Sequence, residues 1–181
     1  TQVSLADQDL KSGTLEITVT PGRIGRIEAV PPDASRIRLK SNVPARPGDI
    51  LNLRDIEQGL ENLRGLPSAD ADVRISPTQT PGESDILVEY RQSFPLRLTL
   101  TADDGGSKST GKYQGGLTLA YDNPLGLSDL IYLSLNRDLD QRGADGARSG
   151  VFHYAVPFGY WNASVTYDRN RHYQKIVGLT Q

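Results

Sequence analysis

From Phe94 onward the side chains alternate in character with a period of two, and this restricts the possible folds more than any other feature of the chain. Leu96, Leu98, Leu100 and Ala102 interleave with Arg97, Thr99, Thr101 and Asp103. Gly115, Leu117, Leu119 and Tyr121 interleave with Gly116, Thr118 and Ala120, and Ile131, Leu133 and Leu135 with Tyr132, Ser134 and Asn136. Phe152, Tyr154 and Val156 then flank His153 and Ala155, and Trp161, Ala163, Val165 and Tyr167 alternate with Asn162, Ser164, Thr166 and Asp168. Successive side chains of a strand point to opposite faces, so the pattern predicts five strands, each with one apolar and one small or polar face. Two architectures fit: a soluble antiparallel sheet with one wet face, or a membrane barrel with lipid outside and water within. The connections at 122–128 and 157–160 are compact, whereas those at 103–109 and 138–149 are polar and mostly longer. Short turns alternating with long loops favour the barrel. Phe94, Tyr121, Phe158, Tyr160 and Trp161 gather at the short-turn end, where a membrane-interface girdle belongs.

A barrel strand needs apolar residues only at every second position, so a hydrophobic content of 36% is compatible with a membrane sheet. It is not compatible with membrane helices, since no run approaches the required length of about 18 apolar residues. The absence of cysteine excludes a disulfide framework, a thiolate nucleophile and cysteine-ligated zinc. Two histidines, His153 and His172, leave little for a metal site, and neither metal nor cofactor is expected. A formal net charge of −2 argues against a nucleic-acid partner. The chain has no methionine, opens at Thr1 and shows no signal segment, from which we expect a piece of something longer.

Several properties change together near Gln92. Up to that point Tyr90 is the single aromatic, and all glutamates of the chain lie there; beyond it the sequence is aromatic-rich and lacks glutamate. The first part reads as a small α+β unit. Leu53, Ile56, Leu60 and Leu63 recur at helical spacing with Arg54, Glu57, Glu61 and Arg64 opposite them, predicting a helix over 53–64. Asn52 is placed to cap it with Asp55 three residues on, and Leu51 to staple onto Ile56. Gly65, expected in the left-handed conformation, and Leu66-Pro67 close it. Strands are expected at 15–20, 23–30, 71–76 and 85–90, with Pro21-Gly22 and Pro81-Gly82 as turns. A second helix between Asp33 and Ser41 is weaker, because Ile37 and Leu39 cannot share a helical face.

The run Asp104-Gly105-Gly106-Ser107-Lys108-Ser109-Thr110-Gly111, followed by Tyr121-Asp122-Asn123-Pro124-Leu125-Gly126-Leu127-Ser128-Asp129, resembles the start of the barrel in two-partner secretion outer-membrane transporters, the haemolysin secretion/activation family. Pro47-Gly48-Asp49-Ile50-Leu51-Asn52-Leu53-Arg54-Asp55-Ile56-Glu57-Gln58-Gly59-Leu60-Glu61-Asn62-Leu63 is similar to the long helix of that family's second POTRA domain. Gln8-Asp9-Leu10, Gly13-Thr14-Leu15 and Gly22-Arg23-Ile24 resemble the closing strand of its first POTRA domain. The resemblance implies the end of a first POTRA domain over 1–22, a second POTRA domain of β-α-α-β-β order over 23–92, and over 93–181 the first antiparallel strands of an incomplete outer-membrane β-barrel. It implies a Gram-negative outer-membrane location with the POTRA part in the periplasm, contact with outer-membrane lipid, and no enzymatic activity. Its implied partner is a large secreted exoprotein (haemolysin, adhesin or toxin) recognised by an N-terminal secretion domain. Most of the first POTRA domain, most barrel strands and the lid-loop motif are missing, and five strands cannot close a pore.

A POTRA sheet leaves an edge strand that an extended client can join. The family's topology implies 71–76 as that edge, making Val73, Arg74, Ile75 and Ser76 the client-binding candidates, with proline at 74 or 76 expected to block the outward N–H. The same alternation also fits Val73 and Ile75 packing as core under the helix. Asp122, Asn123, Pro124 and Gly126 are read as a structural periplasmic turn, since proline fixes φ and Asn or Asp stabilises a chain reversal. Asp138 and Asp140 invite a calcium reading, but Arg142 and Ser149 would occupy ligand positions of the loop, and the pattern fails. His153 is expected to face the lumen and His172 lies in a charged tail; neither belongs to a recognisable catalytic motif. Asn162-Ala163-Ser164 matches a glycosylation sequon, a three-residue match common by chance. Two other functions compete: an outer-membrane barrel assembly factor of the same superfamily, and a soluble β-rich binding module. The soluble module should be monodisperse in water by size-exclusion chromatography, whereas barrel strands should aggregate or require detergent unless self-association buries their apolar faces.

Overall fold

The spacing of Ile56, Leu60 and Leu63 produces its helix in the computed structural model, which describes residues 2–5, 13, 15–106, 112–139 and 147–171. Gln8, Asp9, Leu10 and Thr14 of the first motif, residues 107–111 of the barrel motif, Asp140, Arg142 and His172 lie outside the described residues. The chain divides into two compact units, one of residues 1–93 with Pro157–Trp161, the other of the remaining residues.

In the first unit β1 (Gln2–Ser4) pairs antiparallel with β2 (Thr18–Thr20), so the strand expected over 15–20 is confined to its last three residues. A separate sheet holds β3 (Arg23–Val30), β4 (Ala69–Pro77) and β5 (Glu83–Gln92) in the order β3-β5-β4, parallel on one side of β5 and antiparallel on the other. Between β3 and β4 run a 3-10 turn (Ala34–Arg36), the one-turn helix α1 (Leu39–Asn42) and α2 (Leu53–Arg64). The weak helix breaks at Ile37 and Arg38, because Ile37 turns into the core in an extended conformation.

Asn52 caps α2 as expected, its side chain accepting from the Arg54 N–H at 3.1 Å. The other end differs: Gly65 is right-handed, with φ −63° and ψ −12°. The last helical residue is Arg64, and beyond Gly65 the pair Leu66-Pro67 opposes continuation, because a proline disfavours helical angles in the residue before it. Leu66 is buried and its carbonyl accepts from Ala69 N–H at 3.0 Å.

Ile24, Val43, Ile56, Leu63, Ala71, Ile86, Val88 and Tyr90 form the core between sheet and helices. β3 departs from its ladder between Ile24 and Ile27, and Asp85 replaces the lost partner: its carboxylate accepts from Arg26 N at 3.0 Å and from the Arg26 guanidinium at 2.6 Å. Gly25 leaves room for this, since a Cβ there would meet the carboxylate oxygens Asp85 Oδ1 and Glu83 Oε1, each at 2.5 Å, and would displace them.

The second unit is one antiparallel sheet of β6 (Leu96–Asp103), β7 (Gln114–Asp122), β8 (Leu130–Asp138), β9 (Arg148–Phe158) and β10 (Trp161–Arg171), in sequence order. The register aligns the apolar positions across strands: Leu98 with Leu119, Leu119 with Leu133, and Leu133 with Phe152. A soluble sheet would bury this face, yet Leu98 is 62% exposed and Leu100 72%. The sheet is a single layer whose apolar side meets no second layer among the described residues.

Gly59 of α2 faces Val43, and a Cβ there would lie 2.9 Å from Val43 Cγ2 and 3.1 Å from Val43 Cα. Alanine gains about 1 kcal/mol of helix propensity, but overpacking against backbone costs roughly 1–3 kcal/mol. Gly59→Ala should therefore destabilise the unit by about 1 kcal/mol in guanidinium unfolding, against the sign that propensity alone gives.

Candidate functional site

Hydrogen-bond phase decides which groups β4 offers. In an antiparallel ladder, residues of a hydrogen-bonded pair point both N–H and C=O at each other, and the next residues point theirs away. Two bonds flank the β4–β5 ladder: Ser93 N–H to Ser68 carbonyl at 2.8 Å, and Thr78 N–H to Glu83 carbonyl at 3.1 Å. With Arg74 opposite Leu87 and Ser76 opposite Asp85, the even-numbered residues of β4 bond to β5. The outward groups belong to Ala71, Val73 and Ile75. Arg74 and Ser76 direct their amides inward, so the expectation of a blocking proline at 74 or 76 is corrected to 73 or 75.

The ends of this edge are occupied. The Arg64 guanidinium donates to the outward Ala71 carbonyl at 2.6 Å and to Asp72 at 2.8 Å. Pro77, at the other end, has no N–H. The opposite margin of the sheet is partly covered, because Ile24 N–H donates to Asp49 carbonyl at 3.0 Å and Ile24 carbonyl accepts from Gly48 N–H at 2.7 Å. Val73 packs partly against the core, as its alternation allows, but Ile75 is 44% exposed. Arg74 is exposed and pairs with Glu89 at 2.8 Å, and Ser76 is half-buried.

The turn between β7 and β8 is organised by a residue the sequence reading did not single out. Asp129, fully buried, accepts from Leu125 N at 3.2 Å, Leu127 N at 3.3 Å and the Tyr154 hydroxyl at 3.1 Å. Asn123 takes a left-handed φ of 58° and its Oδ1 accepts from Ser128 N at 2.9 Å, while Gly126 has φ 74°. Pro124 sits between Asn123 and Leu125 in this reversal. Asp122 is buried against Arg97 at 2.8 Å. The signal for Asp129 was present in the motif, but its targets are backbone amides, which leave no mark on composition.

Phe94, Phe158 and Trp161 are 76%, 64% and 79% exposed, and Tyr121 and Tyr160 are also exposed. Within the first unit the Tyr160 hydroxyl donates to the Asp55 carboxylate, which raises the phenol above its ordinary pKa. Asn62 Nδ2 donates to the carbonyls of Asn42 and Gly159, both at 2.7 Å. His153 shares a face with Tyr132, on which it stacks at 4.9 Å, and with Thr166 at 2.8 Å. Among the described residues no group of His, Asp and Glu is placed to hold a metal ion.

A β-α-α-β-β unit leading into antiparallel strands with an exposed apolar face defines a class: the POTRA-bearing outer-membrane barrel proteins. The POTRA domain model matches residues 23–77, and the model of the haemolysin secretion/activation protein ShlB/FhaC/HecB matches residues 82–181. The chain belongs to the haemolysin secretion/activation protein ShlB/FhaC/HecB family. It is 36% identical over 185 residues to outer membrane transporter CdiB-2 of Burkholderia pseudomallei, covering 100% of this chain and 31% of that protein. To hemolysin transporter protein ShlB of Serratia marcescens it is 30% identical over 152 residues, 84% of this chain and 27% of that one. The chain therefore spans about a third of the length of the curated relatives it matches. The solved structure of CdiB from Escherichia coli superposes with TM-score 0.78 at 34% identity, covering 92% of this chain and 31% of that chain. A structure of BamA from Haemophilus ducreyi lacking POTRA domains 1–3 matches with TM-score 0.51 at 15% identity, covering 92% of this chain and 32% of that one, a likeness of fold alone.

The ladder phase gives a stability contrast within two adjacent positions. Arg74→Pro removes an inward hydrogen bond and should cost about 2–3 kcal/mol, whereas Ile75→Pro removes an outward N–H and should cost about 1 kcal/mol or less. Thermal unfolding of the two variants side by side checks the assignment.

Proposed function

We propose that this chain is part of an outer-membrane transporter that recognises a large exoprotein and secretes it by two-partner secretion. The observation that carries the reading is the single-layer sheet, whose aligned leucines are exposed on one face while the other face is polar. Lipid is the medium that makes such a face stable, and the family's relatives are named as transporters. In this reading the POTRA unit of residues 23–92 lies in the periplasm, residues 1–22 end a first POTRA domain, and residues 93–181 begin the barrel. Phe94, Tyr121, Phe158, Tyr160 and Trp161 mark the periplasmic interface, and Asp122, Asn123, Pro124 and Gly126 build the turn beneath it. The secreted client adds as a strand to β4, bonded through the outward amides and carbonyls of Val73 and Ile75, with Arg74 and Ser76 alternating between them. The reading assigns the chain no catalytic step.

The test uses the full-length transporter with its client's secretion domain. Ile75→Pro should weaken client binding by about tenfold, equivalent to roughly 1.4 kcal/mol, and lower the exoprotein recovered from the medium, with the thermal midpoint little changed. Unaltered binding by the folded Ile75→Pro and Val73→Pro variants would remove β4 from the recognition site. Insertion of other barrels, with no exoprotein secreted, would support the assembly-factor alternative instead.

A further inference from the structure

Three adjacent strands of the sheet end their apolar runs in arginine. On β8 the run Ile131, Leu133, Leu135 is followed by Arg137; on β9, read against the chain, Val156, Tyr154, Phe152 and Gly150 are followed by Arg148. On β10, Val165 and Tyr167 give way to Arg169 and Arg171. All these positions share one face: Leu135 lies opposite Gly150 and Arg137 opposite Arg148. The His153–Thr166 hydrogen bond, on the polar face, sets β10 in the matching phase.

The four arginines line one cavity of about 540 Å³ together with Leu135 and Gly150 of the same face and the cross-strand pair Asn136 and Ser149 of the other. Arg137 and Arg148 are direct cross-strand neighbours, a like-charge pairing that is unfavourable on its own. Among the described residues none of the four forms a salt bridge with a carboxylate. An anion seated between them turns this repulsion into attraction. Guanidinium groups suit phosphate in particular, because their paired N–H donors match its oxygens.

Position selects the kind of phosphate. At about 3.4 Å per residue Arg148 lies about 27 Å along β9 from Val156, or about 20 Å in height for a strand tilted by roughly 40°. The apolar band of an outer-membrane barrel is about 25 Å tall. The arginines thus stand at the boundary remote from the short turns, directly beyond side chains that would meet acyl chains.

We propose that Arg137, Arg148, Arg169 and Arg171 bind the phosphate groups of a phosphorylated glycolipid in the outer leaflet, with Leu135, Phe152 and Tyr167 against its acyl chains. The inference rests on the outer-membrane reading given above.

The experiment takes the full-length transporter in detergent and titrates it, under native mass spectrometry, with bisphosphorylated lipid A, with fully dephosphorylated lipid A, and with inorganic pyrophosphate. The phosphorylated lipid should bind at least about tenfold more tightly than either of the other two, about 1.4 kcal/mol or more. The variant Arg148→Gln/Arg169→Gln/Arg171→Gln should lose that preference, while Arg91→Gln in the first unit keeps it. Equal binding of the two lipids, or a triple variant that still discriminates, overturns the proposal; pyrophosphate binding as tightly as the lipid assigns the site to free anions and overturns the lipid. Should the triple variant fail to fold, single Arg148→Gln and Arg169→Gln variants replace it, and the wild-type comparison of the two lipids still decides. Heat-modifiable gel mobility of the wild type separates the two failures: loss of the barrel signature sinks the membrane reading, and a barrel without phosphate preference sinks only the site.

Discussion

Every backbone amide removed from water needs a partner, and both units are organised around that requirement. In the second unit it is met sideways, strand to strand, so that side chains are left free to answer to whatever lies on each face. This is why a single layer can be apolar on one side and polar on the other without a core of its own. In the first unit the same requirement is met around β5, which has a neighbour on both sides and carries the fully buried Ile86, Val88 and Tyr90. Its outer strands differ in what covers them, β3 being bonded by the 48–49 backbone and β4 left open between Ala71 and Pro77.

The parts legible in the sequence are those specified by local pattern. Helix α2 was readable because its apolar stripe and Asn52 cap lie within one stretch, and the five membrane-type strands because the period of two persists through each. The helix end departs from local expectation at Gly65, where glycine suggests a left-handed residue but the backbone stays right-handed, and Pro67 two residues on disfavours continuation without needing one. The phase of β4 was not legible at all. Which of Arg74 and Ile75 faces outward depends on how β4 is registered on β5, and that register shows only in the bonds themselves, Thr78 N–H to Glu83 carbonyl at the hairpin end and Ser93 N–H to Ser68 carbonyl at the other.

The β7–β8 turn lies between these cases. Its motif announced a reversal, and Asn123 and Gly126 adopt the positive φ angles that such residues favour. Yet the residue that holds it is Asp129, whose carboxylate gathers two turn amides and a hydroxyl from β9. One buried side chain thereby fixes both the shape of a turn and the alignment of the next strand, which is a tertiary fact that no local propensity encodes.

The closure of β4 at both ends also sets an upper limit on how firmly anything can dock there. With Arg64 on the Ala71 carbonyl and Pro77 lacking a donor, two residues remain with both groups outward, enough for about four main-chain bonds. At a net worth near 1 kcal/mol each, they supply about 4 kcal/mol, the range of a millimolar dissociation constant. A strand held this loosely leaves nearly as readily as it arrives, and any greater grip has to come from its side chains or from a second point of attachment. Under the proposed client-docking role, weakness at the first contact would keep the step that admits a strand from becoming the step that traps it.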